Sequence, residues 1–172
     1  MFTNSQIDIT TLPKLEDLKL EPISPKYFTI IIINVLVTYL SFIGALVVLK
    51  YFIEDDDGFH SVFWYIIVVL ILASISQMII YKLGFKKRKY ALREKDIIYS
   101  SGYIVNNTTT LPLNRIQHLE ITRSFMARRL GLATLKIYSA GESGGDIAIK
   151  GLPNAIAEKQ YAHLTSVLND RV

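Results

Sequence analysis

The chain has 172 residues, 51% of them apolar and 20% charged, with a mean hydropathy of +0.32. That length suits one compact domain with an appendage rather than two full domains. It contains no cysteine, which excludes disulfides, iron–sulfur clusters, thiol catalysis and thiolate zinc sites.

Charge is distributed unevenly. Residues 1–26 carry Lys14, Lys19 and Lys26 against Asp8, Glu16, Asp17 and Glu21, a net of −1. Residues 27–81 carry Lys50 against Glu54, Asp55, Asp56 and Asp57, a net of −3. Residues 82–172 carry fifteen Lys/Arg against seven Asp/Glu, a net of +8. The basicity therefore belongs to the C-terminal half.

The first segment, 1–26, contains Pro13, Pro22 and Pro25 and reads as a cytoplasmic piece of chain lying across the inner membrane face or on the domain that follows. Phe28 to Leu49 follows as 22 residues without a charge, fifteen of them Ile, Leu, Val or Phe. At about 1.5 Å per residue a helix over that run reaches roughly 33 Å, enough for a hydrocarbon core of about 30 Å. Val62 to Ile80 is a second uncharged run of 19 residues. The length of the first run, the 27 mixed-charge residues before it and the lack of an A-x-A-like site argue against a cleaved signal peptide. Residues 27–81 thus predict a two-helix membrane hairpin with a short linker, Lys50–Ser61. Lys82, Lys86, Lys87, Arg88 and Lys89 follow the second run, while the linker is acidic. The positive-inside rule then places the linker outside and both termini in the cytoplasm, as in an inner or plasma membrane.

Asn34, Thr38, Ser41 and Ala45 recur at helical spacing on the first span, with Ser74 and Gln77 available on the second. Small and hydrogen-bonding side chains suit helix packing or self-association. Neither run contains an ionisable group, which argues against a transport path.

From residue 82 a cytoplasmic domain is expected, built of short β runs. Tyr90–Arg93, Asp96–Ser100 and Tyr103–Val105 predict a meander, with turns at Glu94-Lys95 and Ser101-Gly102. Ile116–Arg123 in its second half, Ala133–Ser139 and Asp146–Lys150 alternate, placing Leu119, Ile121, Leu135, Ile137, Ile147 and Ile149 inward. Ser124–Leu130 predicts a short helix capped by Ser124. Asn154–Leu168 switches to helical spacing, with Ala157, Tyr161, Leu164 and Leu168 on one stripe. The expected fold is a membrane α-helical hairpin plus an α+β domain: a small β-barrel or sandwich of about seven antiparallel strands, capped by the C-terminal helix.

Several motifs carry a family resemblance. Leu111-Pro-Leu-Asn-Arg-Ile-Gln-His118, Arg128-Arg-Leu-Gly-Leu-Ala-Thr-Leu135 and Ile149-Lys-Gly-Leu-Pro153 resemble the bacterial pleckstrin-homology-like (PH-like) membrane proteins of the YdbS type. Ser24-Pro-Lys-Tyr27 and Lys89-Tyr-Ala-Leu-Arg93 are similar to the lead-in to the first helix and to the opening strand of that family. The resemblance implies a pleckstrin-like fold preceded by two transmembrane helices. It implies no reaction.

Gly141-Glu142-Ser143-Gly144-Gly145 satisfies G-x-S-x-G, and Asp146 and His163 follow in hydrolase order. A nucleophile elbow needs a strand-to-helix turn. With strands on both sides, these glycines read as a hairpin loop, and no Gly-Lys-Ser/Thr supports a phosphate cradle. His60, His118 and His163 show no ligand spacing. No catalytic residue, metal or cofactor is expected.

Lys86, Lys87, Arg88 and Lys89 beside the bilayer either fix topology or meet anionic headgroups. Arg123, Arg128 and Arg129 around the short helix are candidates for a second contact with anionic lipid or an acidic partner. The tether and the absence of aromatic–basic interleaving argue against nucleic acid, and no small-molecule substrate is expected. The leading expectation is a non-enzymatic, membrane-anchored scaffold for protein interaction or oligomerisation. An anionic-lipid-sensing module and an accessory subunit of a transport or export complex are the alternatives.

Overall fold

The computed structural model describes residues 18–53, 57–140 and 145–169, and of Asp57, Phe59 and His60 the backbone alone. Pro13, the glycine-rich positions 141–144 and the acids 54–56 lie outside the described residues.

Two long helices come first: α1, Lys26–Phe52, and α2, Asp57–Phe85. Both are long and apolar enough to cross a membrane. They pack along a seam formed by Val35, Tyr39, Ile43 and Leu46 of α1 with Phe63, Ile67, Leu70 and Ala73 of α2, all buried or half-buried. Spacings of three and four residues keep each set on one helix face. At the far end Lys50 Nζ sits 4.6 Å from the Phe63 ring centroid and 5.3 Å from that of Trp64, a cation–π arrangement. Elsewhere the helices are bare, with Leu40 63% exposed, Val69 62% and Leu72 58%.

The rest forms two antiparallel sheets. β1 (Glu21–Pro22), β2 (Lys89–Leu92), β3 (Asp96–Ser101) and β4 (Asn107–Pro112) pair in that order. A 3-10 turn at Leu113–Arg115 leads into the second sheet: β5 (Ile116–Thr122), β6 (Leu132–Ser139) and β7 (Ile147–Pro153). Between β5 and β6 lies α3, Phe125–Arg129, whose Ser124 cap accepts the Ala127 N–H at 3.3 Å. The final helix, α4 (Asn154–Asn169), packs on β5, β6, β7 and the 3-10 turn.

Tyr90, Ile97 and Leu111 from the first sheet meet Leu119, Leu135, Ile137, Ile147 and Ile149 from the second, and Ala157 and Leu164 of α4 close the core. Tyr161 and Leu168, on the same α4 stripe, pack at its edge. The arrangement is two sheets and a helix, not one closed barrel.

One local expectation is corrected. Tyr103–Val105 is not a strand, and the third strand of the meander is Asn107–Pro112. Gly102, at φ +104°, turns the chain where a Cβ would lie 2.0 Å from the Val105 carbonyl oxygen. The apolar triplet is left exposed in the loop, Ile104 by 79%. The segment before α1, expected across the inner membrane face or on the domain, lies on the domain in its described part: it supplies β1 and places Ile23 in the core.

Candidate functional site

The domain is fused to the ends of both long helices. Ladder partners Ala133↔Leu152 and Thr134↔Lys150 leave Gly151 as the extra residue of a bulge in β7, at φ +80°. A glycine in the left-handed region is what such a bulge requires. The Gly151 carbonyl accepts the Ser24 N–H at 3.0 Å, and Tyr27 N–H bonds back to Ser24 O at 3.0 Å. Tyr27 then lies so close that a Cβ on Gly151 would be 2.5 Å from its Cβ and Cγ. Phe28 and Phe85 meet with ring centroids 5.4 Å apart, while Ile30 packs with Ala127 and Leu132.

This junction leaves two clefts beside α1. One, about 260 Å³, lies between the helices and is lined by Ile31, Asn34, Thr38, Gln77 and Tyr81, with Arg88 and Lys150 above. The other, about 310 Å³, runs between α1, α3 and β6, past Ile30, Thr122, Ser124, Ala127 and Lys136. Tyr27, Asn34 and Lys150 border both. The Arg88 guanidinium carbon lies 5.9 Å from the Tyr27 ring centroid. Among the described residues neither Arg88 nor Lys150 forms an ion pair. Thr122 Oγ1, beside the second cleft, is buried without a hydrogen-bond partner among the described residues.

A family model for the bacterial PH domain matches residues 9–167, through both long helices and both sheets. The chain belongs to the bacterial PH domain family. No curated protein and no solved structure is significantly similar to it. Membership makes the folded region an interaction module of the PH-like class.

The basic residues singled out in the sequence do not form one cluster on the PH-like domain. Lys86, Lys87 and Lys89 are exposed, whereas Arg88 is half-buried and enters the cleft. Arg123 is engaged by α4: its Nε donates to Asn154 Oδ1 at 2.5 Å and its Nη2 to Glu158 Oε1 at 2.7 Å. Arg128 and Arg129 are exposed on α3, Arg129 lying 5.4 Å from the Phe125 ring centroid. Lys150, absent from the sequence-derived set, is the cation that joins Arg88. Strand alternation does place it outward, but only the fold shows α1 beside that face.

The small and polar stripe of α1 lies beside the seam rather than within it. Asn34, Thr38, Ser41 and Ala45 are all exposed, and Thr38 and Ser41 donate to the carbonyls of Asn34 and Val37 in their own helix. Ser74 and Gln77 are half-buried, Ser74 donating to Ile71 O. Asn34, Thr38 and Gln77 line one cleft between the helices, which Ser41, Ala45 and Ser74 do not reach.

β6 and β7 pair directly from Ile137↔Ile147, so the glycine-rich segment joins two antiparallel strands, and Asp146 Oδ1 accepts the Ser139 N–H at 2.9 Å. That bond braces the hairpin. His118 stacks on Tyr138 at 5.7 Å, and His163 lies on the exposed side of α4. No group of three or more potential metal ligands occurs among the described residues.

Two further features mark the surface. Glu120 accepts from Lys136 Nζ at 3.2 Å and from Tyr138 OH at 3.0 Å; these bonds hold its carboxyl below the usual range and Lys136 above its own. On the α4 side, Leu92, Ala155, Ile156, Lys159, Gln160 and His163 line an apolar groove of about 580 Å³.

Proposed function

We propose that the protein is a non-enzymatic integral protein of the bacterial inner or plasma membrane. In this reading α1 and α2 span the bilayer, both termini are cytoplasmic, and the PH-like domain is a scaffold for a protein partner or for self-assembly. One observation carries the reading: the domain packs onto the ends of two apolar helices that are otherwise bare. Only 11% and 6% of their most apolar stretches is buried. A core helix of a soluble protein would be covered, and so large an exposed apolar surface marks contact with lipid or protein. Both helices satisfy their own backbone groups, as hydrocarbon demands. Lys82, Lys86, Lys87 and Lys89 at the domain end support the orientation.

The groove on α4 supports protein docking. β1 pairs only with Lys89 and Tyr90, so the β2 edge beyond them, at Ala91 and Leu92, has no strand partner on that side among the described residues. An open strand edge beside an apolar groove suits a polypeptide, through main-chain bonds and side-chain pockets. A photo-crosslinking residue at Ile156, in cells, tests this. The expected result is a discrete protein adduct, at twice the chain mass for self-assembly or at another mass for a different partner. Lipid adducts alone, or none, would contradict the scaffold reading.

A further inference from the structure

The clefts on either side of α1 share Tyr27, Asn34 and Lys150 as walls, and the one between the two helices forms a site around the start of α1. Its mouth holds two cations on separate elements, Arg88 just beyond α2 and Lys150 beside the β7 bulge, without an ion-pair partner among the described residues. Deeper in, Asn34 lies eight residues along α1 and Gln77 eight residues before the end of α2. Each is about 12 Å from its helix end at about 1.5 Å per residue, so the two amides share one depth. Neither side chain has a hydrogen-bond partner among the described residues. Within apolar surroundings such amides are costly unless something pairs them. Along α1 the lining runs from Tyr27, near the two cations, past Ile31 to Asn34 and Val35, with Thr38 beyond them. Two cations at the domain end of a cleft with uncharged, partly aliphatic walls between membrane-length helices suit an anionic phospholipid.

We propose that this cleft binds one anionic phospholipid of the cytoplasmic leaflet. Its phosphate sits between Arg88 and Lys150 above the Tyr27 ring, its glycerol-ester oxygens meet the Asn34 and Gln77 amides, and its acyl chains follow α1. The bulge at Gly151 creates the site twice over, by admitting Tyr27 and by carrying Lys150 to the same edge. The proposal rests on the membrane reading, and a carbonate wash of membranes tests that reading separately on the same preparation.

Native mass spectrometry of the full chain in detergent, with added dioleoylphosphatidylglycerol or dioleoylphosphatidylcholine, tests the site. Phosphatidylglycerol adducts are expected to outlast phosphatidylcholine adducts on collisional activation. The double variant Arg88→Gln/Lys150→Gln should lower phosphatidylglycerol occupancy roughly tenfold or more. Lys86→Gln/Lys87→Gln, the same charge change on exposed residues, should leave it within about twofold. A second pair, Asn34→Leu/Gln77→Leu, keeps both cations and should also lower occupancy, which covers the case in which the first variant does not fold. Equal losses in the two lysine/arginine variants would overturn the proposal in favour of diffuse charge attraction. Displacement of the lipid by inorganic phosphate would overturn it in favour of a free-phosphate site. A dimer peak abolished by Asn34→Leu/Gln77→Leu, without lipid adducts, would assign the cleft to a second copy.

Discussion

A Cβ at Gly151 would lie 2.5 Å from the Cβ and Cγ of Tyr27, on a backbone held at φ +80°. Both problems arise at one atom, so Gly151→Ala should cost roughly 1–2 kcal/mol for the left-handed backbone plus a comparable amount for the overlap. Denaturant unfolding in detergent measures the loss. Tyr27→Ala should recover part of it by relieving the overlap and leave the backbone cost in place; full stability in Gly151→Ala alone would contradict the packing described. The sequence makes the motif Ile149-Lys-Gly-Leu-Pro153 visible, since Ile149 and Leu152 are both apolar at a spacing that breaks strict alternation. It does not show what the irregularity is for. The partner, Tyr27, is more than a hundred residues away in the chain, and only the folded register brings them together.

At the level of elements, β5 and β6 are tied across their outer face by Glu120, Lys136 and Tyr138. The Glu120 carboxyl titrates below its unfolded value, so its stabilisation is present above the ordinary glutamate range and is lost as pH falls through the lower folded value. Lys136 is raised, and its share is lost only as pH rises through its folded value. All three side chains are solvent-accessible and screened, so the effect is small. The stability difference between the natural chain and Glu120→Gln should therefore be greatest near neutral pH and shrink on acidification and with added salt. Thermal unfolding across acidic and neutral buffers measures it, and a difference independent of both pH and salt would argue against the pair. The alternation that carries these residues was legible in the sequence, as were the α4 stripe and the Ser124 cap, because burial on one face imposes a period. β4 was not. Its run Asn107-Thr-Thr-Thr-Leu-Pro112 is polar apart from Leu111, and it pairs with β3 on one side only. The apolar triplet Tyr103–Val105, which imitates a strand, lies instead beside the end of α2, with Tyr103 Cβ 3.4 Å from a Cβ placed on Gly84.

For the whole molecule, the two apolar runs and the basic segment after them announced a hairpin joined to a β-rich domain, and the motifs pointed to the PH-like class. The site was only partly legible. Of the seven basic residues marked in the sequence, Arg88 lines the cleft between the helices and Arg123 lines the second cleft, where Asn154 and Glu158 already engage it; the other five line neither. Charge density along a chain reports what is near in sequence; a site between helices and sheets is assembled by topology. The same topology makes the central claim testable in one measurement. The chain has no cysteine, so single cysteines at Asp56, in the linker between the two helices, and at Lys159, on α4, can be labelled in intact cells with a membrane-impermeant maleimide. Hairpin anchoring with a cytoplasmic PH-like domain predicts that Asp56→Cys is labelled at once and Lys159→Cys only after permeabilisation. Labelling of Lys159→Cys in intact cells, or protection of both positions until permeabilisation, would contradict it.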